Sequence, residues 1–132
     1  MMIYLLDSNV VIALADHAHL HRSRCDSWFK TINHFALCPI SEGALVRFIM
    51  RTGKSPAVAV AVLRKNAALD GYEFWPDAVS YMDADLSRIM GHQQVTDAYL
   101  IALVRNHPGS KLATLDEGLA DLYPEDAYLI PG

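Results

Sequence analysis

Short, largely apolar runs set the frame for this chain. Residues 2–6, 35–39, 72–75, 111–115 and 127–130 (MIYLL, FALCP, YEFW, KLATL, AYLI) are too brief to be core helices, and most lack the alternation of a strand with one wet face. Runs of this kind are buried on both sides, as happens in parallel sheets whose two faces are covered by helices. The intervening segments carry helical signals. Ser8 is the expected cap of a helix to Ala15, and residues 20–32 place Leu20, Cys25, Trp28, Phe29 and Ile32 near one face. Residues 42–53 repeat Ala44, Leu45, Phe48 and Ile49 at helical spacing and stop at Gly53. Ser55 and Pro56 launch AVAVAVLRKNAALDG as a helix despite its strand-like alternation, because proline suits a first helical position. Residues 82–90 and a segment from residue 95, closed by Pro108 and Gly109, are further expected helices, and residues 116–122 a short turn. The predicted architecture is one α/β domain over residues 1–132: a three-layer fold with a central, mostly parallel five-stranded sheet flanked by helices.

Composition narrows the classes. With 52% hydrophobic and 20% charged residues, the chain has enough apolar surface for a real core. No segment approaches the ~20 apolar residues of a membrane span, and Asp7 interrupts what would be the core of a signal peptide, so a cytosolic protein with no membrane role is expected. Cys25 and Cys38 lack metal-finger spacing and are expected as reduced, buried thiols. A net charge of −4 excludes nucleic-acid binding by overall positive potential; a polyanion must be met locally or through cations.

Asp7 is the anomaly. It lies between two apolar stretches, where an unpaired carboxylate is costly. Three other acids sit in comparable places: Glu42 just after the second strand, Asp116 at the end of the fourth, and Asp97 in the first turn of VTDAYLIALV. In parallel α/β folds functional groups gather at the carboxyl ends of strands, so these four are expected on one rim. Repulsion would raise their pKa values unless a cation joined them. All-oxygen donors select hard ions, Mg²⁺ or Mn²⁺, which supply hydroxide near neutral pH and steady a leaving oxygen in phosphodiester cleavage. Asn9, Thr96 and Thr114, each within two residues of a candidate ligand, are expected to orient carboxylates or to cap local backbone. No convincing Ser/His/Asp or Cys/His nucleophile arrangement competes with this chemistry.

Each acid also has an ordinary explanation, because Asp7 can cap a helix, Glu42 and Asp97 lie in first turns, and Asp116 precedes a turn glycine. Their joint placement favours a shared site. His17, His19 and His21 do not share one helical face, and His92 and His107 are expected to be structural. Asp77 is a poor match for the acceptor aspartate of a receiver domain, and Lys111 precedes a strand where that fold needs a lysine after one. Asp7-Ser8-Asn9 lacks the second carboxylate of a haloacid-dehalogenase-like phosphatase. Arg47 and Arg51, four apart on the helix that Glu42 begins, are candidates for a positive wall beside an acidic metal pocket.

Taken in order, LLDSNVVI, SEGALVRF, VTDAYLIALV and LATLDEGL resemble the four acidic motifs of the PIN-domain ribonucleases, and most of all the VapC-type toxins of prokaryotic toxin–antitoxin pairs. The likeness spans essentially the whole chain, including GHQQ before the third motif. It implies a PIN-like fold and a Mg²⁺- or Mn²⁺-dependent endoribonuclease with Asp7, Glu42, Asp97 and Asp116 as catalytic, metal-binding acids. It further implies a homodimer, a cognate VapB-type antitoxin that blocks the groove, and an RNA substrate such as transfer or ribosomal RNA. The alternative is a PIN-like fold kept only as an RNA- or protein-binding module, which the intact acidic set disfavours.

Overall fold

All five apolar runs form strands, and every neighbouring pair of them is parallel. The computed structural model describes residues 1–132 and runs β1 (Ile3–Leu6), α1 (Ser8–Ala15), α2 (Arg22–Phe29), β2 (Phe35–Leu37), α3 (Pro39–Arg51), α4 (Pro56–Ala67), β3 (Tyr72–Phe74), α5 (Val95–Arg105), β4 (Ser110–Thr114), α6 (Glu117–Leu122) and β5 (Ala127–Leu129). The sheet order is β3-β2-β1-β4-β5. Tyr4 pairs with Phe35 on one side and Lys111 on the other, so β1 is the central strand.

Successive residues of the central strands point to opposite faces, and both faces are dry. Leu5, Ala36 and Leu112 pack with Trp75, α5 and α6, while Leu6, Leu37 and Ala113 pack with α1 to α4. Each fully buried leucine contributes about 1.5–3 kcal/mol from burial alone. The connectivity explains this division. From β1 the chain builds outward through β2 to β3 with α1 to α4 on one face. It then returns across the sheet to β4 on the other side of β1, with α5 and α6 on the second face. The direction of winding therefore reverses between β1 and β4. In open parallel sheets the carboxyl edge at such a reversal is a crevice.

Three local expectations need correction. Residues 82–90 are not a helix: one 3₁₀ turn at Tyr81–Asp83 is followed by irregular chain, with Met82 91% and Met90 88% exposed. This segment instead roofs α5, with Val79 and Ile89 packed against the core and Tyr81 4.8 Å from Tyr99. Side-chain bonds hold it in place of a helical ladder, Tyr123 Oη donating to the Asp85 carbonyl at 2.8 Å and Arg88 to that of Leu122 at 3.0 Å. Residues 117–122, expected as a turn, form α6 because Asp116 caps them. The first helix is capped by Asp7, not Ser8. The alternating AVAVAV is helical as expected, with Ser55 accepting from the Val58 amide at 3.3 Å.

Gly71 marks the tightest backbone approach. Its φ is +84°, and a Cβ there would lie 1.9 Å from the Asn33 carbonyl oxygen, just where β3 joins β2. Gly53 has a similar φ of +91° but open space around it. Urea titration should therefore show Gly53→Ala costing about 1–2 kcal/mol from backbone strain, and Gly71→Ala costing clearly more. Equal losses would show that the close approach has no energetic weight.

Candidate active site

The reversal between β1 and β4 is where the acids meet. Asp7 follows β1 directly and Asp116 lies two residues beyond β4, so both stand at the carboxyl edge of adjacent central strands. Asp97 comes from the first turn of α5, the helix that carries the chain back across the sheet. Their exposure is graded: Asp7 is buried at 6%, Asp97 half-buried and Asp116 exposed.

Asp7 is held from two directions. Its Oδ1 accepts the Ser8 amide at 2.8 Å and its Oδ2 accepts the Thr114 hydroxyl at 2.7 Å. Thr114 Oγ1 in turn accepts the Asp116 amide at 3.0 Å, and Asn9 Oδ1 accepts the Leu115 amide at 3.3 Å. The end of β4 is thereby tied to the start of α1 through groups that also orient Asp7. Asp116 caps α6 by accepting the Leu119 amide at 3.1 Å. Capping and site formation thus use the same carboxylates. Neither Thr114 nor the buried Ser41, whose hydroxyl donates to the Leu6 carbonyl at 2.7 Å, is free to act as a nucleophile.

The electrostatics are those of an uncompensated acidic rim. Burial pushes the Asp97 carboxyl up to about 6, with the charges of Asp7 and Asp116 adding to the effect, and no hydrogen bond or cation relieves it. Burial also raises Asp7; its bonds from Thr114 and Ser8 work against this, and Asp116 adds repulsion. No group of three or more His, Cys, Asp or Glu side chains is gathered tightly enough to coordinate a metal as it stands. The donor chemistry still fits a hard divalent cation. Mg²⁺ is commonly held by one or two carboxylates plus waters and substrate phosphate, not by a closed protein cage, and a cation would reverse the shifts that repulsion produces.

Glu42 is influenced by a different acid from those that couple the trio. It lies in the first turn of α3, beside Ser41, and the influences that raise its pKa are burial and Asp77, not the other three acids. Asp77, passed over in the sequence, follows β3 by the same strand-end rule that locates Asp7 and Asp116. The acidic edge therefore holds Asp77 in addition to the expected quartet. Thr96, expected to orient a carboxylate, is exposed and faces a separate pocket formed with Pro39, Ile40, Arg47, Asp77 and Tyr81.

Arg47 reaches this pocket but Arg51 does not. Arg51 is the last residue of α3, about 13 Å along the axis from Glu42 at 1.5 Å per residue, because the helix starts at the carboxyl edge of the sheet and runs away from it. Among the histidines, His107 stacks on Trp75 at 3.7 Å and His17 contacts Arg22 at 3.1 Å. Cys25 and Cys38 are buried free thiols.

The Asp97 shift has a definite sign. Its pKa is higher in the folded protein than in the unfolded chain, so the folded state takes up a proton more readily, and stability falls as pH rises from about 4 through about 6. In metal-free buffer Asp97→Asn should melt above the unsubstituted protein at pH 8 and alike at pH 4. A variant less stable at pH 8 would contradict the cost of burying this carboxylate beside Asp7 and Asp116.

Comparison with known proteins agrees with this geometry. Residues 4–124 match the PIN domain family. Ribonuclease VapC29 of Mycobacterium tuberculosis is 46% identical over 131 residues, covering 98% of both chains, and ribonuclease VapC39 of the same organism is 38% identical over 91% of this chain and 93% of its own. The structure of VapBC2 from Rickettsia felis, bound to a DNA fragment from its promoter, superposes with a TM-score of 0.65 over 98% of this chain and all of that one, at 14% identity, a likeness of fold. The chain is a member of the PIN-domain family and belongs to its VapC branch.

Proposed function

We propose that this protein is a Mg²⁺- or Mn²⁺-dependent endoribonuclease and the toxin of a VapBC-type pair, acting in the cytoplasm. The observation that carries the reading is the charge-coupled set Asp7, Asp97 and Asp116 at the reversal of the sheet, with Glu42 farther along the same edge. A divalent cation held there would supply a nucleophilic hydroxide near neutral pH and charge stabilisation at the leaving oxygen. Asp97 would be the principal ligand, since its carboxylate has no partner within the chain. Asp7 would complete the inner edge, locked in orientation by Thr114 and Ser8 so that little ordering remains when the ion arrives. Asp116 would close the solvent side, and Glu42 would reach toward the substrate end of the rim. Arg47 would meet the RNA backbone, the local cation that a chain of net charge −4 requires.

The names of the relatives support the substrate class, and transfer or ribosomal RNA is the expected target. The VapBC title of the structural neighbour supports a VapB-type antitoxin as partner. A homodimer is proposed on the family likeness. No helix is long and apolar enough to cross a membrane.

Purified protein should cleave RNA with Mg²⁺ or Mn²⁺ and stop in excess chelator, and Asp97→Asn should lose at least about a hundredfold in rate while keeping its far-ultraviolet circular dichroism. The same ions should raise the melting temperature, by the equivalent of ~2.7 kcal/mol at a hundredfold excess over Kd. Undiminished cleavage in chelator would end the metal-ion reading.

A further inference from the structure

Between α3, the 76–81 segment and the start of α5 lies an open pocket of about 430 Å³, lined by Pro39, Ile40, Arg47, Asp77, Tyr81 and Thr96. It adjoins the acidic edge on two sides, because Thr96 precedes Asp97 and Asp77 is close enough to Glu42 to raise its pKa. Its size is within the range of pockets that take small organic ligands. Elsewhere Arg88 and Arg105 are committed to Asp85, Glu125 and Asp126, and Lys30 to Asp26. Arg47 is in none of these ion pairs, and Asp77 has no hydrogen-bonded or cationic partner. Tyr81 rests on Tyr99 at 4.8 Å and is still 44% exposed at the pocket wall.

We propose that this pocket is a subsite for the base of a nucleotide flanking the cleaved phosphodiester, with guanine as its preferred occupant. A buttressed, exposed ring is a platform on which an unstacked RNA base can lie. An ionised carboxylate only accepts hydrogen bonds, so Asp77 selects the base edge that offers adjacent donors. Guanine presents two, N1–H and the N2 amine. Cytosine and adenine present one amine beside an acceptor nitrogen, and uracil one N–H between two oxygens that would repel Asp77. Arg47, also in the lining, meets the adjoining phosphate as a bidentate cation. The inference rests on the nuclease reading and specifies which nucleotide that site accepts.

Binding of fluorescently labelled heptauridylate and of its versions with one central guanine, adenine or cytosine, measured with Mg²⁺ in the Asp97→Asn protein, tests the subsite without cleavage. The guanine version should bind about tenfold more tightly than heptauridylate. Asp77→Asn should bring that ratio to within about twofold. Tyr81→Ala should weaken the guanine oligonucleotide about tenfold, and Tyr81→Phe, which keeps the ring, should recover most of the loss. Equal affinity for all four oligonucleotides, or a guanine preference indifferent to Asp77→Asn and Tyr81→Ala, would overturn the subsite. Absence of metal-dependent cleavage by the unsubstituted protein is a separate result, and would overturn the nuclease reading beneath it.

Discussion

A buried carboxylate held by a threonine hydroxyl is the constraint around which the fold is arranged. Asp7 sits where β1 ends and α1 begins, and its bond from Thr114 joins the two strands between which the sheet reverses its winding. Without that bond and the one from the Ser8 amide, Asp7 would be an unpaired charge in an apolar setting, a large penalty in any fold. With them, one acid caps α1, pins β4 and presents charge to the crevice at once. The remaining strain is electrostatic. Asp97 arrives on α5, a helix so enclosed that Ala98 to Val104 are all buried, and it cannot move away from Asp7 and Asp116 without displacing the core. Packing thus supplies the force that keeps like charges together.

Part of the surface charge is settled by pairing. Asp85, Glu125 and Asp126 are answered by Arg88 and Arg105, both of which also lie over the ring of Tyr123. Arg24 is spent on the carbonyls of Ile130 and Pro131, fastening the C-terminus. At the carboxyl edge, Asp97 and Asp77 have no cation from the chain itself. On the proposed reading, a chain of net charge −4 meets a polyanion through ions gathered at that edge.

The strands and most helices were legible in the sequence because their signals are local. Short apolar runs between caps and glycines read directly, and Ser55-Pro56 correctly outweighed the alternation of AVAVAV. Asp7, Asp97 and Asp116 could be brought together because strand ends converge in a parallel sheet. What escaped notice was set by tertiary packing. Residues 82–90 have helical composition but are used as a roof over α5, so side-chain-to-backbone bonds replace the helical ladder. The influence of Asp77 on Glu42 links two residues far apart in sequence and so depends on the packing of α3. Asp77 itself obeyed the strand-end rule but was weighed only against a phospho-acceptor role. The sheet order β3-β2-β1-β4-β5 removes that comparison, since receiver domains follow the order 2-1-3-4-5.

The central claim is that like charges are packed together so that a divalent ion can take the place of a proton. Isothermal titration of Mn²⁺ into the metal-free protein, repeated in buffers of different ionisation enthalpy, counts the protons displaced. Near pH 6 binding should release a substantial fraction of a proton, and the release should fade by pH 8 and largely disappear in Asp97→Asn. Saturable Mn²⁺ binding with no proton release near pH 6, or release that is unchanged in Asp97→Asn, would contradict the account.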